Sequence, residues 1–349
     1  MNIMAYNGAE PQVDKESDLV NTYLQGDVNI LDSFLYNADV RNDEHQGSIF
    51  IIKSDLAGVV HCTTGNNMYV IRDTRAENGS IIHGANLDHV VLNEFATIDQ
   101  TDAANSELGK LSYVSSDQSY ADQETGDGAI RIDRGKFHLR RDIPASFVDE
   151  AVAQRNTLRT QYITLENNNN KSSNGNFMHP YSVIINSKTS DRNFIAQRAS
   201  VTGSELGTGT NIQEGCIVDC VDAGQYNIFA HNAIGINTTM GNNNFFMFNA
   251  MAKNAKLGNY TMLLPGTTVE SNPKNPINLD NGIYFGRIQS QKDANRNKIS
   301  FYDLTKTSSG KQFYESLMHR VEHILELNGG LEHINGHAQN HHGLKYKRM

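Results

Sequence analysis

Short apolar runs separated by Gly, Asn and Asp recur along most of the chain, and their length predicts strands rather than helices. Between residues 48 and 95 the runs SIFII, GVVHC, MYVIR, SIIHG and HVVLNEF are rich in β-branched and aromatic residues. The polar stretch 100–129 predicts a long loop, and IRIDRGKFHLRR predicts a hairpin. Three segments have helical character: a short one around 20–35, one that begins with Pro144, and an amphipathic one at 311–327.

These patterns divide the chain into five parts. A β-rich region of unassigned fold covers 1–165, and the polar run ENNNNKSSNG marks a linker at 166–176. A repeating region covers 177–270, an extended segment with the C-terminal helix covers 271–330, and a His-rich tail covers 331–349. The run SIIHGANLDHVVL also fits a coil of the repeating region, so the choice between a separate N-terminal fold and a longer repeat stays open.

Asn recurs ahead of an aromatic or β-branched residue at nearly regular intervals after the linker. The pairs begin at Asn193, Asn211, Asn227, Asn244 and Asn259. These intervals are close to one turn of a left-handed parallel β-helix, which takes about 18 residues, and the corners of such a turn require residues that tolerate a positive φ, as Gly and Asn do. The sequence therefore predicts a mainly β fold, a left-handed parallel β-helix with a C-terminal packing α-helix and an N-terminal β-rich region.

Composition and charge exclude several classes of function. With 30 Lys+Arg against 39 Asp+Glu, the formal net charge of −9 disfavours a nucleic-acid partner. No apolar run reaches the roughly 18 residues of a membrane span, so no membrane partner is expected. The N-terminus lacks a secretory pattern and the chain has 3 cysteines, which predicts a cytoplasmic protein with free thiols.

Residues 177–270 resemble the γ-class carbonic anhydrases, a family of homotrimeric left-handed β-helix proteins. The run MHPYSVII resembles the family's first coil, and TNIQEG at 210–215 resembles its TNIQ-D-G box. Arg198 precedes Gln213 at the same spacing at which the family's arginine precedes its glutamine. The resemblance implies that Arg198, Asn211 and Gln213 line a cleft between the subunits of a homotrimer, where a small-molecule ligand could bind.

The resemblance also implies a zinc site, which this sequence retains only in part. The family holds zinc with three histidines, and the matching positions here are Asp219, His231 and Ile236. Three imidazoles leave zinc one open position, at which a bound water ionises near neutral pH. Since Ile236 has no donor atom, only Asp219 and His231 remain as ligands, and zinc-dependent hydration of CO2 is not expected.

Three hypotheses for function follow from these residues. The lost ligands favour a γ-carbonic anhydrase-like protein that binds no cofactor and serves as an oligomeric assembly or ligand-binding module. The alternative is a hexapeptide-repeat acyltransferase, in which His231 would be the general base and acetyl-CoA the donor. A residual γ-type carbonic anhydrase with Asp219 and His231 as zinc ligands is the third. Whether the chain is an enzyme, as a transferase or a lyase, stays open at this point.

Overall fold

The computed structural model describes residues 2–4, 11–20, 22–36, 38–42, 48–62, 68–163, 176–179 and 181–327. It shows a mainly β protein, a β-solenoid of about 15 turns with a few helices. The chain divides into two compact units, Met1–Ala153 and Gln154–Met349. None of the helices in the described ranges is long and apolar enough to cross a membrane.

Unit 1 is itself a parallel β-helix, so the N-terminal region also consists of coils. Each strand pairs in parallel with the strand at the same position one turn later, and the column Leu24, Val40 and Val60 shows how inward side chains stack into one core. Its strands are β1 (Asn2–Met4), β2 (Gln12–Val13), β3 (Asp18–Val20), β4 (Tyr23–Gln25), β5 (Val28–Leu31), β6 (Phe34–Tyr36), β7 (Asp39–Asn42), β8 (Ile49–Ile52), β9 (Asp55–Cys62), β10 (Tyr69–Arg72), β11 (Arg75–His83), β12 (Leu87–Leu92), β13 (Thr97–Asp99), β14 (Ala103–Leu108), β15 (Tyr113–Ser116), β16 (Tyr120–Ala121), β17 (Glu124–Thr125), β18 (Ala129–Arg134) and β19 (Phe137–Asp142).

The helix predicted around residues 20–35 is wrong, because this segment forms strands β4, β5 and β6. Gly26 adopts a φ of 82°, which ends one short strand and turns the chain into the next. Val28 and Ile30 then alternate into the core with a period of two, which is the spacing of a strand and not of a helix.

The loop predicted at 100–129 is also wrong, since β14 to β17 lie within it. A coil needs apolar residues only where side chains point inward, and Ala103, Leu108 and Val114 supply them here. The polar residues around them point outward or form hydrogen bonds with backbone groups of the turns. The hydroxyl group of Ser106, for example, donates to the carbonyl oxygen of Ala104. The predicted hairpin at 130–141 is confirmed, because β18 and β19 pair antiparallel.

Helix α1 (Ala145–Ile163) confirms the helix predicted from Pro144, and it begins one residue later. Within unit 1, Phe147, Val148 and Ala151 of this helix are buried in a cluster with Phe95 and Leu111. Within unit 2, Leu158 and Tyr162 of the same helix pack against residues of the second face, which are Ile217, Ile234, Ile236 and Met251.

Unit 2 is a β-helix with a constant period over most of its length, as the evenly spaced column Ile195, Ile212 and Phe229 shows. The first face contains β20 (Phe177–Met178), β23 (Phe194–Ile195), β26 (Asn211–Ile212), β29 (Ile228–Phe229), β32 (Phe245–Phe246), β35 (Thr261–Leu263) and β38 (Gly282–Tyr284). The second face contains β21 (Val183–Ile185), β24 (Ser200–Thr202), β27 (Ile217–Asp219), β30 (Ile234–Ile236), β33 (Met251–Lys253), β36 (Thr268–Glu270) and β39 (Arg287–Ile288). The third face contains β22 (Lys188–Thr189), β25 (Glu205–Leu206), β28 (Asp222–Ala223), β31 (Thr239–Met240), β34 (Ala255–Leu257) and β37 (Ile277–Leu279).

The β-helix continues beyond the predicted end at residue 270, through β37, β38 and β39. The breaker-rich run at 271–276 is an insertion at a corner, after which Ile277 and Leu279 return to the core. The C-terminal helix is confirmed: α2 (Gln291–Arg296), β40 (Lys298–Ile299) and α3 (Phe301–Thr305) precede α4 (Ser308–Leu327), on which Leu317 and Val321 are buried. Of the predicted linker only Asn176 is among the described residues, and the tail at 331–349 lies outside them.

Candidate functional site

Side chains at one corner of unit 2 stack one above another between the first and second faces. Gln197, Glu214, His231 and Phe248 occupy this corner in successive turns. Gly215 follows Glu214, Asn232 follows His231 and Asn249 follows Phe248 in the sequence. Each of these three following residues has a positive φ, which turns the backbone in the same way in every coil. The repeated turn therefore places the side chain before it at the same point of every coil.

His231 lies between a carboxylate on one side and an aromatic ring on the other. Its Nδ1 is 2.6 Å from Oε2 of Glu214, and its ring is parallel to that of Phe248, with 5.5 Å between the centroids. Both His231 and Glu214 are 1% exposed. The corner therefore holds a buried imidazole–carboxylate pair.

Two arginines of α1, one helical turn apart, add positive charge to unit 2. Arg155 is completely buried and donates from Nη2 to the carbonyl oxygen of Asn249 and to Oγ1 of Thr268, each at 2.9 Å. Arg159 is half-buried as a side chain, yet its Nη1 is enclosed. Burial lowers the pKa of both guanidinium groups to about 9, and the positive charge of Arg198 also lowers the pKa of Arg159.

The predicted cleft residues Asn211 and Gln213 are covered within a single chain. Asn211 begins β26, at the outward position that Phe194 and Ile228 occupy in the neighbouring turns. Asn211 is 2% exposed and Gln213 is 5% exposed. Among the described residues, neither side-chain amide atom of Asn211 has a hydrogen-bond partner, and Oε1 of Gln213 has none either. Burying an amide without a hydrogen-bond partner lowers the free energy of unfolding by about 1–3 kcal/mol. This part of the fold is therefore not optimised for stability alone.

The structure brings two of the three predicted zinc positions together, but not as metal ligands. Asp219 and Ile236 are register partners on β27 and β30. The Asp219 carboxylate accepts a hydrogen bond from the hydroxyl of Tyr162 at 2.6 Å and another from Thr202. Because Ile236 is a hydrocarbon and Asp219 is already bonded to two hydroxyl groups, these residues do not fit a three-ligand zinc centre.

A different group in unit 1 has the spacing of metal ligands. Asp73, Asp88 and His89 place one ligand atom each within 4.8 Å of one another, and no other such group occurs among the described residues. Arg72 already binds Asp88 with two hydrogen bonds, of 3.0 and 2.8 Å, and this lowers the pKa of that carboxyl to about 2. Since a cation would have to compete with this guanidinium, the group makes no case for a metal centre.

Unit 1 contains a second buried imidazole–carboxylate pair, which the sequence analysis did not single out. His83 on β11 and Asp99 on β13 are register partners in adjacent turns. Nδ1 of His83 is hydrogen-bonded to Oδ1 of Asp99 at 2.8 Å, and the hydroxyl of Tyr113 on β15 donates to Oδ2 at 2.6 Å. The three side chains are 5%, 0% and 3% exposed, respectively. A coil register extended into this region of the sequence would have placed the three residues in consecutive turns.

The three parallel faces and the short repeat of unit 2 define the class of fold, which is a left-handed parallel β-helix. Residues 47–156 match the family model described as "Hexapeptide repeat including loop". A crystal structure of a "putative acetyltransferase" from Desulfovibrio desulfuricans G20 is similar, with a TM-score of 0.78 and 23% identity, over 94% of this chain and 81% of that one. At this identity the similarity establishes the fold alone.

A hexapeptide transferase family protein from Anaplasma phagocytophilum aligns with 46% of this chain and 98% of its own, at 19% identity and a TM-score of 0.27. No curated protein matches the sequence.

Proposed function

We propose that this chain is an acyltransferase, which moves an acyl group from a thioester such as acetyl-CoA to a hydroxyl or amine acceptor. The observation that carries the proposal is a buried imidazole–carboxylate pair on a hexapeptide-repeat β-helix, represented in unit 2 by His231 and Glu214 at 2.6 Å. Acyl transfer to a neutral acceptor requires a base, and an imidazole whose Nδ1 faces a carboxylate presents its Nε2 for that purpose. The solved structure that shares this fold is described as a "putative acetyltransferase", and this description supports the same reaction class.

The acyltransferase reaction needs no metal, and the residues at Asp219 and Ile236 give no support to zinc chemistry. His231 is the base that the sequence predicts, and Arg198, Asn211 and Gln213 are the predicted binding residues of the same region. Acetyl-CoA is the proposed donor, and a homotrimer is the proposed assembly.

One observation favours a second function, that of an assembly or ligand-binding module. His231 is 1% exposed and Asn211 is 2% exposed, so the predicted site is closed in the single chain. A substrate would reach it only after the groups that cover it move. A purely structural role for this corner requires no such movement.

Calorimetric titration of the full-length protein with acetyl-CoA, followed by release of free thiol in the presence of hydroxyl and amine acceptors, separates the two functions. An acyltransferase should bind the donor with a Kd of about 1 mM or lower and release thiol only when an acceptor is added. If the protein does not bind acetyl-CoA at about 1 mM, the acyltransferase proposal is overturned, and the assembly or ligand-binding module is favoured.

A further inference from the structure

We infer that the first turns of unit 1 carry the surface through which copies of this chain contact one another. This surface consists of two apolar columns that flank one corner of the β-helix, and we call it the apolar corner. One column contains Leu31 and Ile52, and the other contains Val20, Phe34 and Tyr36. The apolar corner rests on the homotrimer of the proposed function, to which it gives a place of contact, and not on acyl transfer.

The side chains of the apolar corner point away from the core, because they alternate with buried residues. Leu35 has no exposed surface, whereas Phe34 and Tyr36 on either side of it are 41% and 49% exposed. Leu31 is 41% exposed beside a fully buried isoleucine. Eight large apolar or aromatic side chains are exposed among the described residues, and four of them lie at positions 20–36. Exposed apolar side chains concentrated in this way mark an interaction surface.

The coil does not need apolar residues at these outward positions, because later turns have charged residues there. In one column Ile52 pairs with Arg72 one turn later. In the other column Phe34 pairs with Asp55, which pairs with Arg75 in the following turn. Strands form in both parts of each column, so strand formation does not explain why the outward residues of the first turns are apolar. A contact that removes them from water explains it.

The two columns face different directions. They are separated by a corner at which Asp32 and Lys53 adopt a positive φ. A single flat partner therefore cannot cover both. Two copies related by a twofold axis use one surface twice, whereas a ring of copies requires two different surfaces on every chain. In such a ring the column of Leu31 on one copy packs against the column of Phe34 on the next, so a second copy of this chain is the partner that fits.

The charges around the apolar corner favour copies of this chain over a lipid surface. Successive turns of the corner carry Asp32, Lys53 and Asp73, all exposed. Since successive turns are about 4.8 Å apart, a lysine of one copy is long enough to reach the carboxylates one level above and below it on the next copy. Asp18 and Asp55 lie in the column of Phe34 on either side of it. Acidic residues here repel the anionic lipids that attract proteins through Lys and Arg.

Light scattering coupled to gel filtration of full-length variants tests the apolar corner. We expect the wild-type chain to give about three times 38.8 kDa. Leu31→Arg damages one column and Phe34→Arg damages the other, so each should raise the dissociation constant by at least about 100-fold and give the mass of a single chain. Thr239→Arg, at an exposed position on the third face of unit 2, is the matched control and should keep the wild-type mass.

An equimolar mixture of Leu31→Arg and Phe34→Arg distinguishes a ring from a twofold pair. In this mixture the intact column of one variant meets the intact column of the other, so one contact forms but the ring cannot close. The mixture should therefore give about twice the 38.8 kDa of one chain, although each variant alone gives a single chain. A twofold pair through one column would leave one of the two variants associated on its own, and this result would overturn the ring.

Circular dichroism shows whether each variant folds, and Ile52→Lys or Tyr36→Lys replaces a variant that does not. A monomeric wild-type chain would overturn the assignment, and its cosedimentation with phosphatidylcholine vesicles would identify a lipid surface as the partner instead. An associated wild type whose mass is unchanged in both arginine variants would overturn it as well, because the contact must then lie elsewhere. None of these results depends on thiol release from acetyl-CoA, so failure of the acyltransferase proposal and failure of this contact are distinguishable.

Discussion

Asn227 shows how one buried side chain ties two successive turns of the β-helix together. It is fully buried, and its Nδ2 donates to the carbonyl oxygens of Gly224 and Gly241 at 2.8 and 3.0 Å. Its Oδ1 accepts from the backbone and the side chain of Asn244, at 2.9 and 3.0 Å. Both polar atoms of the amide are thus used, and the bonds reach the next turn as well as the turn to which Asn227 belongs.

Replacing Asn227 by alanine should lower the free energy of unfolding by about 2–4 kcal/mol, because it leaves several buried backbone groups without partners. Urea unfolding followed by circular dichroism measures the change. Asn278→Ala, at an exposed position of β37, is the matched control and should change stability by less than about 0.5 kcal/mol. Equal effects of the two substitutions would contradict the role assigned to the buried amide.

The hydroxyl group of Tyr162 donates a hydrogen bond to the carboxylate of Asp219, and replacing the tyrosine by phenylalanine removes this bond. Burial raises the pKa of its hydroxyl above the ordinary value, and so does the Asp219 carboxylate that accepts its hydrogen bond at 2.6 Å. Tyr162→Phe should therefore destabilise the protein by about 1–2 kcal/mol. Tyr302→Phe, at a side chain that is 67% exposed, should have no measurable effect on the unfolding midpoint.

The residue types at the corners could be predicted from the sequence, but their register could not. Asn and Gly do occupy corners with positive φ, for example Asn232 and Asn249. The aligned residues Asn193, Asn227 and Asn244 do not: they lie one position past such corners and form the ladder of buried amides. Both roles place Asn next to an apolar residue, so the pattern alone does not distinguish them.

Helix α1 is held to the β-helix of unit 2 by polar bonds as well as by apolar packing. Arg155 reaches Asn249 and Thr268 in two successive turns, and burial lowers its pKa to about 9. The buried charge is costly by itself, and the hydrogen bonds offset this cost. The part of α1 that belongs to unit 2 is therefore held to the coils of that unit by hydrogen bonds as well as by apolar packing.

Arg155→Ala should lower the free energy of unfolding by about 2–3 kcal/mol, because it leaves a cavity and two unsatisfied oxygen atoms. Differential scanning calorimetry of the full chain measures it. Arg296→Ala, at an exposed position near the end of α2, is the control for the loss of an arginine and should leave the midpoint unchanged.

The coils of unit 1 escaped sequence analysis because their lengths vary. Tyr23 pairs with Asp39 in the adjacent turn, whereas Val59 pairs with Ile81 across a clearly longer stretch of chain, in which the register shifts. In unit 2 the constant spacing of paired residues exposes the repeat. Insertions at corners leave the core column intact, yet they remove the regular spacing on which recognition of a repeat depends.

At the scale of the whole molecule, the proposed homotrimer needs a surface other than the one the resemblance assigns. Asn211 and Gln213 are covered in a single chain, as is His231. A homotrimer would be a closed assembly around a threefold axis, and it is the state that we propose on the basis of the resemblance. Its contacts should then lie outside these three residues.

Light scattering coupled to gel filtration should give a mass about three times the 38.8 kDa of one chain. Asn211→Leu should keep this mass and raise the thermal midpoint, because a leucine between Phe194 and Ile228 replaces an amide whose polar atoms have no partner among the described residues. Asn278→Leu, at an exposed site, is the control for the change in side chain. A monomeric wild-type protein would contradict the trimer. Dissociation caused by Asn211→Leu alone would show instead that this amide meets a neighbouring subunit, and that its burial within one chain does not describe its role in the assembly.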